Sequence, residues 1–157
     1  MIIIGIDPGT TRIGYGIIRK EGSKLSSLGY GILKTGSGAS GLDYKGTFSA
    51  LSKVISDHSP VVGSVEKLYF FKNLKTVIPV SEIRGVIMYT LAHHNIPTHE
   101  FTPLQVKQAV SSYGRADKDQ VQKMVRLILN LNEPIRPDDA ADALAIAICC
   151  ANNIIAK

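Results

Sequence analysis

Met1-Ile2-Ile3-Ile4-Gly5-Ile6-Asp7-Pro8-Gly9-Thr10-Thr11 is the stretch on which the fold turns. Its apolar run is rich in β-branched side chains and is stopped by Pro-Gly, which reads as a strand buried on both faces. The run ends on a single carboxylate, Asp7. A charge leaving a buried strand is costly unless it is paired, hydrogen-bonded or bound to a metal. Asp7 is therefore the candidate centre of a site whose partners lie elsewhere in the chain.

Outward from Asp7, the turn Pro8–Thr11 leads into a second strand, Arg12 to Lys20, punctuated by Ile13, Tyr15, Ile17 and Ile18. Glu21-Gly22-Ser23 is a hairpin turn into a third strand, Lys24 to Lys34. Three strands joined this way form an antiparallel meander. A loop over 35–41 follows, then a helix from Thr47 to His58, ended by Pro60. Val61 to Glu66 repeats the opening pattern of a short apolar run ending in an acid. Sites in open α/β sheets form at such carboxyl ends.

Ser81 reads as the cap of a helix to about His94, with Pro79 arguing against an earlier start. Ile96 to Phe101 is a fifth strand, and Thr102-Pro103 opens a helix through Val110. Asp117-Lys118-Asp119-Gln120 begins another in the manner of a capping box, running to about Leu131. The last helix spans about Asp139 to Ile154, with alanines that let it pack close to a sheet. Its start carries Asp138, Asp139 and Asp142, and residues three and four apart share a helix face, so Asp142 lies beside either Asp138 or Asp139. Asp138 reads as the N-cap and Asp139 as a first-turn acid facing the helix dipole. Asp142 has no such structural explanation.

Asp7, Glu66, Asp139 and Asp142 thus each stand at the edge of a core element. Like charges brought together repel unless cations neutralise them. Hard oxygen donors without cysteine or spaced histidine suit Mg²⁺ or Mn²⁺, and a carboxylate cluster holding two such ions equips a protein for phosphodiester hydrolysis. Tyr69-Phe70-Phe71, flanked by Lys67, Lys72 and Lys75, suits stacking on an unpaired base. The helix from Ser81 is apolar almost all round, including Met88 and Tyr89, which suggests a partner surface.

The 157 residues suit one domain over 1–157, and the net charge of +5 permits nucleic-acid binding without establishing it. The first residues lack the basic segment and cleavage site of a signal peptide, and no apolar stretch nears the ~20 residues that span a bilayer. Cys149 and Cys150 are adjacent and read as reduced core residues. A cytoplasmic protein without membrane contact is the expectation.

Asp7-Pro8-Gly9, Glu66, Arg84-Gly85, Gln105-Val106-Lys107-Gln108, Lys118 with Gln120-Val121, and Asp139-Ala140-Ala141-Asp142-Ala143-Leu144-Ala145 together resemble the RuvC family of Holliday junction resolvases. The match runs in order over nearly the whole chain. The resemblance implies an α/β, ribonuclease-H-like fold with a five-stranded mixed sheet, three antiparallel N-terminal strands plus two parallel, and helices on both faces. It implies a homodimeric, Mg²⁺-dependent endonuclease with two ions per site, Mn²⁺ substituting. Its substrate is four-way junction DNA, in recombination and repair, with junction-binding and branch-migration helicases as partners. Asp7, Glu66, Asp139 and Asp142 match the family's acidic positions. Lys107 and Lys118, which read from the residues alone as solvated lysines, match its basic residues near the scissile phosphate. Tyr69 falls where the family carries a base-contacting aromatic; Phe70 is the second candidate, and Lys72 stands beside them as a DNA contact. Other readings stay open: a related nuclease acting on RNA or other branched substrates, a single-lobe relative of actin-like kinases, which share the Ile-Asp-Pro-Gly-Thr-Thr turn, and a non-catalytic junction binder.

Overall fold

The computed structural model describes residues 1–36, 41–68, 74–111 and 114–154, with 74–76 as backbone only. Strands β1 (Ile2–Asp7), β2 (Arg12–Glu21) and β3 (Lys24–Lys34) form the antiparallel meander, and β4 (Val62–Glu66) and β5 (Thr98–Phe101) extend it. The sheet order is β3-β2-β1-β4-β5, with β4 parallel to β1 and β5 parallel to β4. The expected five-stranded mixed sheet is therefore present. β1 lies at its centre, which accounts for the unbroken apolar run: Ile3, Ile4 and Ile6 are fully buried.

Two apolar clusters occupy the two faces. Helices α1 (Tyr44–His58) and α2 (Leu74–His93) cover Ile4, Ile6, Ile13, Ile17 and Val65. Helices α3 (Pro103–Ser111), α4 (Lys118–Leu129) and α5 (Asp138–Asn153) cover Ile3, Ile18, Val62 and Phe101. Side chains alternate between faces along a strand. Asp7 shares parity with Ile3, and Glu66 with Val62, so both acids belong to the face covered by α5. The period-two rule thus carries two distant strand ends to one side of the sheet.

α5 lies unusually close to that face. A β-carbon on Gly5 would come within 2.2 Å of the Ala143 carbonyl oxygen, and one on Gly16 within 2.8 Å of the Leu144 amide nitrogen. Glycine on the strands and alanine on the helix are thus one packing device. At the other end of α5, the Lys20 ammonium donates to the carbonyls of Ala151 and Ile154, where the dipole favours a cation. Cys149 and Cys150 are buried in this helix as free thiols, as expected.

Several boundaries differ from the sequence expectations. α1 begins at Tyr44, not Thr47, because the Asp43 carboxylate accepts from the Gly46 amide at 2.7 Å and caps an earlier turn. The glycine suits it: a β-carbon there would meet the Asp43 carboxylate at 2.1 Å. α2 starts at Leu74 and runs through Pro79, so Ser81 lies inside the helix and is not a cap. Proline forfeits the one hydrogen bond its amide would make to the carbonyl four residues back, and this helix tolerates that loss one turn past its start. β5 begins at Thr98 and α4 ends at Leu129, both within the expected ranges.

Candidate active site

A cleft of about 250 Å³ opens at the carboxyl end of β1 and β4, lined by Asp7, Glu66, Pro103, Lys107, Lys118, Val121 and Asp142. Each side chain is positioned by a local rule. Asp7 and Glu66 end neighbouring parallel strands, in step by the pairing of Ile6 with Val65. Lys107 rides on α3, whose start is fixed by a reciprocal cap: Gln105 N–H to Thr102 Oγ1 at 3.2 Å and Thr102 N–H to Gln105 Oε1 at 2.8 Å. Lys118 is the first residue of α4, held by the same device between Asp117 and Gln120, at 2.8 and 3.2 Å.

The α5 acids meet this cleft from above. Lys118 Nζ lies 3.3 Å from Asp142 Oδ2 and 3.4 Å from Asp138 Oδ2, bridging one helical turn. Asp139 sits at the rim, with Arg12 Nη2 3.5 Å from its Oδ2. Asp138 does not cap α5. Pro137 holds the cap position without a side-chain bond, and Asp138 turns instead to Lys118 and to Arg136, 3.6 Å away. Its engagement by Gln122 and Lys118 lowers its pKa.

The electrostatics single out the two strand-end acids. Burial pushes the Asp7 carboxyl up to about 8, helped by Glu66, Asp142 and Asp139 and opposed by Lys118. Burial and Asp142 push Glu66 up to about 7, against the pull of Lys107. Burial also raises Asp142, although Lys118 opposes it. Lys118 is raised in turn: burial pulls it down, but Asp142 and Asp138 outweigh that. Such shifts, from desolvation plus specific charged neighbours in a cleft, mark functional sites more often than structural ones.

The donor set fits a hard divalent cation: oxygen ligands only, two of them destabilised as anions by burial and by neighbouring carboxylates. The acids do not form a finished cage. Among the described residues no group of three metal-ligating side chains converges, because Asp139 and Asp142 are turned toward Arg12 and Lys118. Asp7, Glu66, Asp142, Lys107 and Lys118 therefore line one cleft as expected, and Asp139 borders it. Tyr69, Phe70 and Lys72 lie outside the described residues. Arg12 escaped the sequence reading. Its signal is parity: it shares a strand face with Gly14 and Gly16, the residues beneath α5.

The family model described as crossover junction endodeoxyribonuclease RuvC matches residues 3–150. A crossover junction endodeoxyribonuclease RuvC of Heliobacterium modesticaldum is 47% identical over 155 residues, covering 98% of this chain and 96% of the relative. That of Natranaerobius thermophilus is 49% identical over 150 residues, covering 95% and 93%. Among solved structures, Thermus thermophilus RuvC in complex with Holliday junction substrate superposes with a TM-score of 0.84 at 31% identity, covering 96% of this chain and 93% of that one.

Proposed function

Because the chain belongs to the RuvC family of crossover junction endodeoxyribonucleases, we propose that it resolves four-way (Holliday) DNA junctions by paired symmetric nicks, in homologous recombination and DNA repair. The observation that carries the reading is the cleft itself. Two half-buried strand-end acids, Asp7 and Glu66, share the cleft with Asp142 of the last helix and with Lys107 and Lys118.

In this reading Asp7, Glu66, Asp139 and Asp142 hold divalent cations, as the donor chemistry favours. We assign two Mg²⁺ per site, with Mn²⁺ as a substitute. Bound ions supply an activated hydroxide and stabilise the leaving oxygen. The chain's own contributions are separable. Asp7 and Glu66, raised to about 8 and 7, titrate near neutrality, and positive charge beside them would favour their ionised forms. Lys107 and Lys118 bind the phosphate and stabilise charge that develops on it. Tyr69 and Phe70, with Lys72, are assigned to DNA contacts at the junction centre.

The catalytic unit is one ribonuclease-H-like domain that works as a homodimer in the cytoplasm, alongside junction-binding and branch-migration helicases. Among the described residues no helix is long and apolar enough to cross a membrane. The dimer surface we assign is the outer side of α2. Its inner side buries Ile83, Ile87 and Leu91. Its outer side leaves Ile78 67% and Tyr89 62% exposed and borders an open groove lined by Tyr44, Glu82, Gly85, Val86 and Tyr89.

The test is cleavage of a labelled mobile four-way junction with and without Mg²⁺, beside flap and RNA substrates. Mg²⁺-dependent symmetric nicking of the junction alone is the expected result. Asp7→Asn is expected to bind the junction and not cut it. Preferred cleavage of RNA or flaps, or cutting by Asp7→Asn, would overturn the reading.

A further inference from the structure

Arg12 and Lys34 are directly opposed in the antiparallel register of β2 and β3. Side chains so paired stand on the same face with β-carbons about 5 Å apart, and like charges there are destabilising. Both residues are exposed. The fold gains nothing from this pair, and among the described residues no carboxylate forms an ion pair with Lys34. Arg12 has one, Asp139, at a loose 3.5 Å, with the guanidinium side chain 51% exposed. Asp43 is the other acid tied to this corner, through its N–H to the Thr35 carbonyl, but its carboxylate is committed to the Gly46 amide at 2.7 Å.

The position of the pair gives it meaning. Arg12 shares the α5 face of β2 with Gly14 and Gly16, and Lys34 shares that face across the ladder. Lys34, Arg12, Asp7 and Glu66 therefore belong to four successive strands, β3, β2, β1 and β4, at one end of the sheet. Lys107, from α3, acts on Glu66, and Lys118, from α4, pairs with Asp138 and Asp142 on α5. The corner holding Lys34 is fixed in place, since Thr35 donates from its backbone to the Thr11 carbonyl at 3.3 Å and from its hydroxyl to the Thr10 carbonyl. Two strand spacings, about 10 Å, separate β3 from β1. That reach extends from a phosphate over the acids to its neighbours along one strand.

We propose that Arg12 and Lys34 form a clamp for the DNA phosphate backbone on the β2–β3 side of the site. Asp139 holds Arg12 in place until the acids take up cations and Arg12 passes to a phosphate. The inference rests on the nuclease reading and deepens it. The chemistry is suitable: a guanidinium matches phosphate with two parallel hydrogen bonds, a stronger partner than the 3.5 Å contact to a part-exposed carboxylate that it would leave. Arg12 is thus a backbone-binding residue and, through Asp139, a positioning residue for the site.

The experiment compares the full chain with Arg12→Gln, Lys34→Gln and the double variant. Junction and duplex affinities are measured in chelator across a range of salt. Each phosphate contact contributes about 0.9 to the slope of log affinity against log salt. The slope is expected to fall by about 1 in each single variant and about 2 in the double. Separately, Mn²⁺ titration followed by calorimetry is expected to show severalfold tighter binding in Arg12→Gln, which frees Asp139, and no change in Lys34→Gln. Thermal midpoints should stay within about 2 °C, since a half-exposed pair carries little stability. A wild-type slope in the double variant overturns the clamp, and unchanged Mn²⁺ affinity in Arg12→Gln overturns the holding role of Asp139. Equal affinity of the unaltered chain for junction and duplex would count against the junction reading, while the slope on either DNA still decides the clamp.

Discussion

Gly14 lies directly beneath Asp139. A β-carbon on Gly14 would come 1.9 Å from the Asp139 carbonyl oxygen and 3.2 Å from its β-carbon. The first turn of α5, and with it the carboxylates of Asp139 and Asp142, is therefore set by the absence of a side chain on β2.

Gly14→Ala is accordingly expected to lift the start of α5. Overpacking of this kind costs about 1–3 kcal/mol, visible as a lowered denaturation midpoint. Displacement of the acids is expected to reduce cleavage by about 100-fold while junction binding is largely retained. A Gly14→Ala chain as active as the unaltered one would refute the packing argument.

The raised acids set a pH dependence of stability. Asp7 moves from an ordinary 3.8 to about 8 and Glu66 from 4.5 to about 7. A group with a raised folded-state pKa binds more protons folded than unfolded, so its contribution falls as pH rises from about 4 toward 8. In chelator, Asp7→Asn is expected to match the unaltered chain near pH 4. At pH 8 it should be more stable by at least about 1 kcal/mol, the equivalent of less than one pKa unit. Urea midpoints at the two pH values provide the measurement; a difference that shrinks toward pH 8 has the wrong sign.

Lys118 bridges Asp138 and Asp142 at 3.4 and 3.3 Å, with its side chain 52% exposed. An exposed ion pair is worth roughly 0–1 kcal/mol, so Lys118→Met should leave the thermal midpoint nearly unchanged. If Lys118 binds the phosphate as proposed, its loss lowers the single-turnover cleavage rate by about 100- to 1,000-fold. A large stability loss with a normal rate would make Lys118 a structural residue.

Tyr89 lies tilted beside Phe48 and His93, at ring-centroid distances of 6.0 and 5.9 Å, yet stays 62% exposed. Tyr89→Asp on the outer side of α2 is expected to convert the proposed dimer to a folded monomer in sedimentation velocity, with circular dichroism unchanged. A dimer that persists would move the interface elsewhere.

The sheet and the four candidate acids were legible because two patterns carried them. An apolar run that stops on a carboxylate marks both a buried strand and its open end, as at Asp7 and Glu66, and helical spacing drew attention to Asp139 and Asp142 at the start of α5. Local chemistry also located the caps at Thr102 and Asp117. Signals shared between distant segments were not readable. The dependence of Asp139 on Gly14, and of Arg12 on the opposed Lys34, needs the strand register, which no single segment states. Asp138 misled because an acid before an alanine helix is the usual cap, whereas here Pro137 holds that position and Lys118 draws the carboxylate away. Pro79 misled because one lost hydrogen bond was weighed as a boundary.

The order of the sheet has a consequence for how the protein matures. Asp7 and Glu66 meet when β4 adds in parallel to β1, a pairing that must wait for the crossover through α1. Parallel pairing of remote segments is slow because loop-closure entropy precedes any gain. The α5 acids join only when the last described helix settles on the glycines of β1 and β2. A chain still being synthesised therefore carries no complete acid set, and DNA-cutting chemistry is withheld until the whole sheet has been covered.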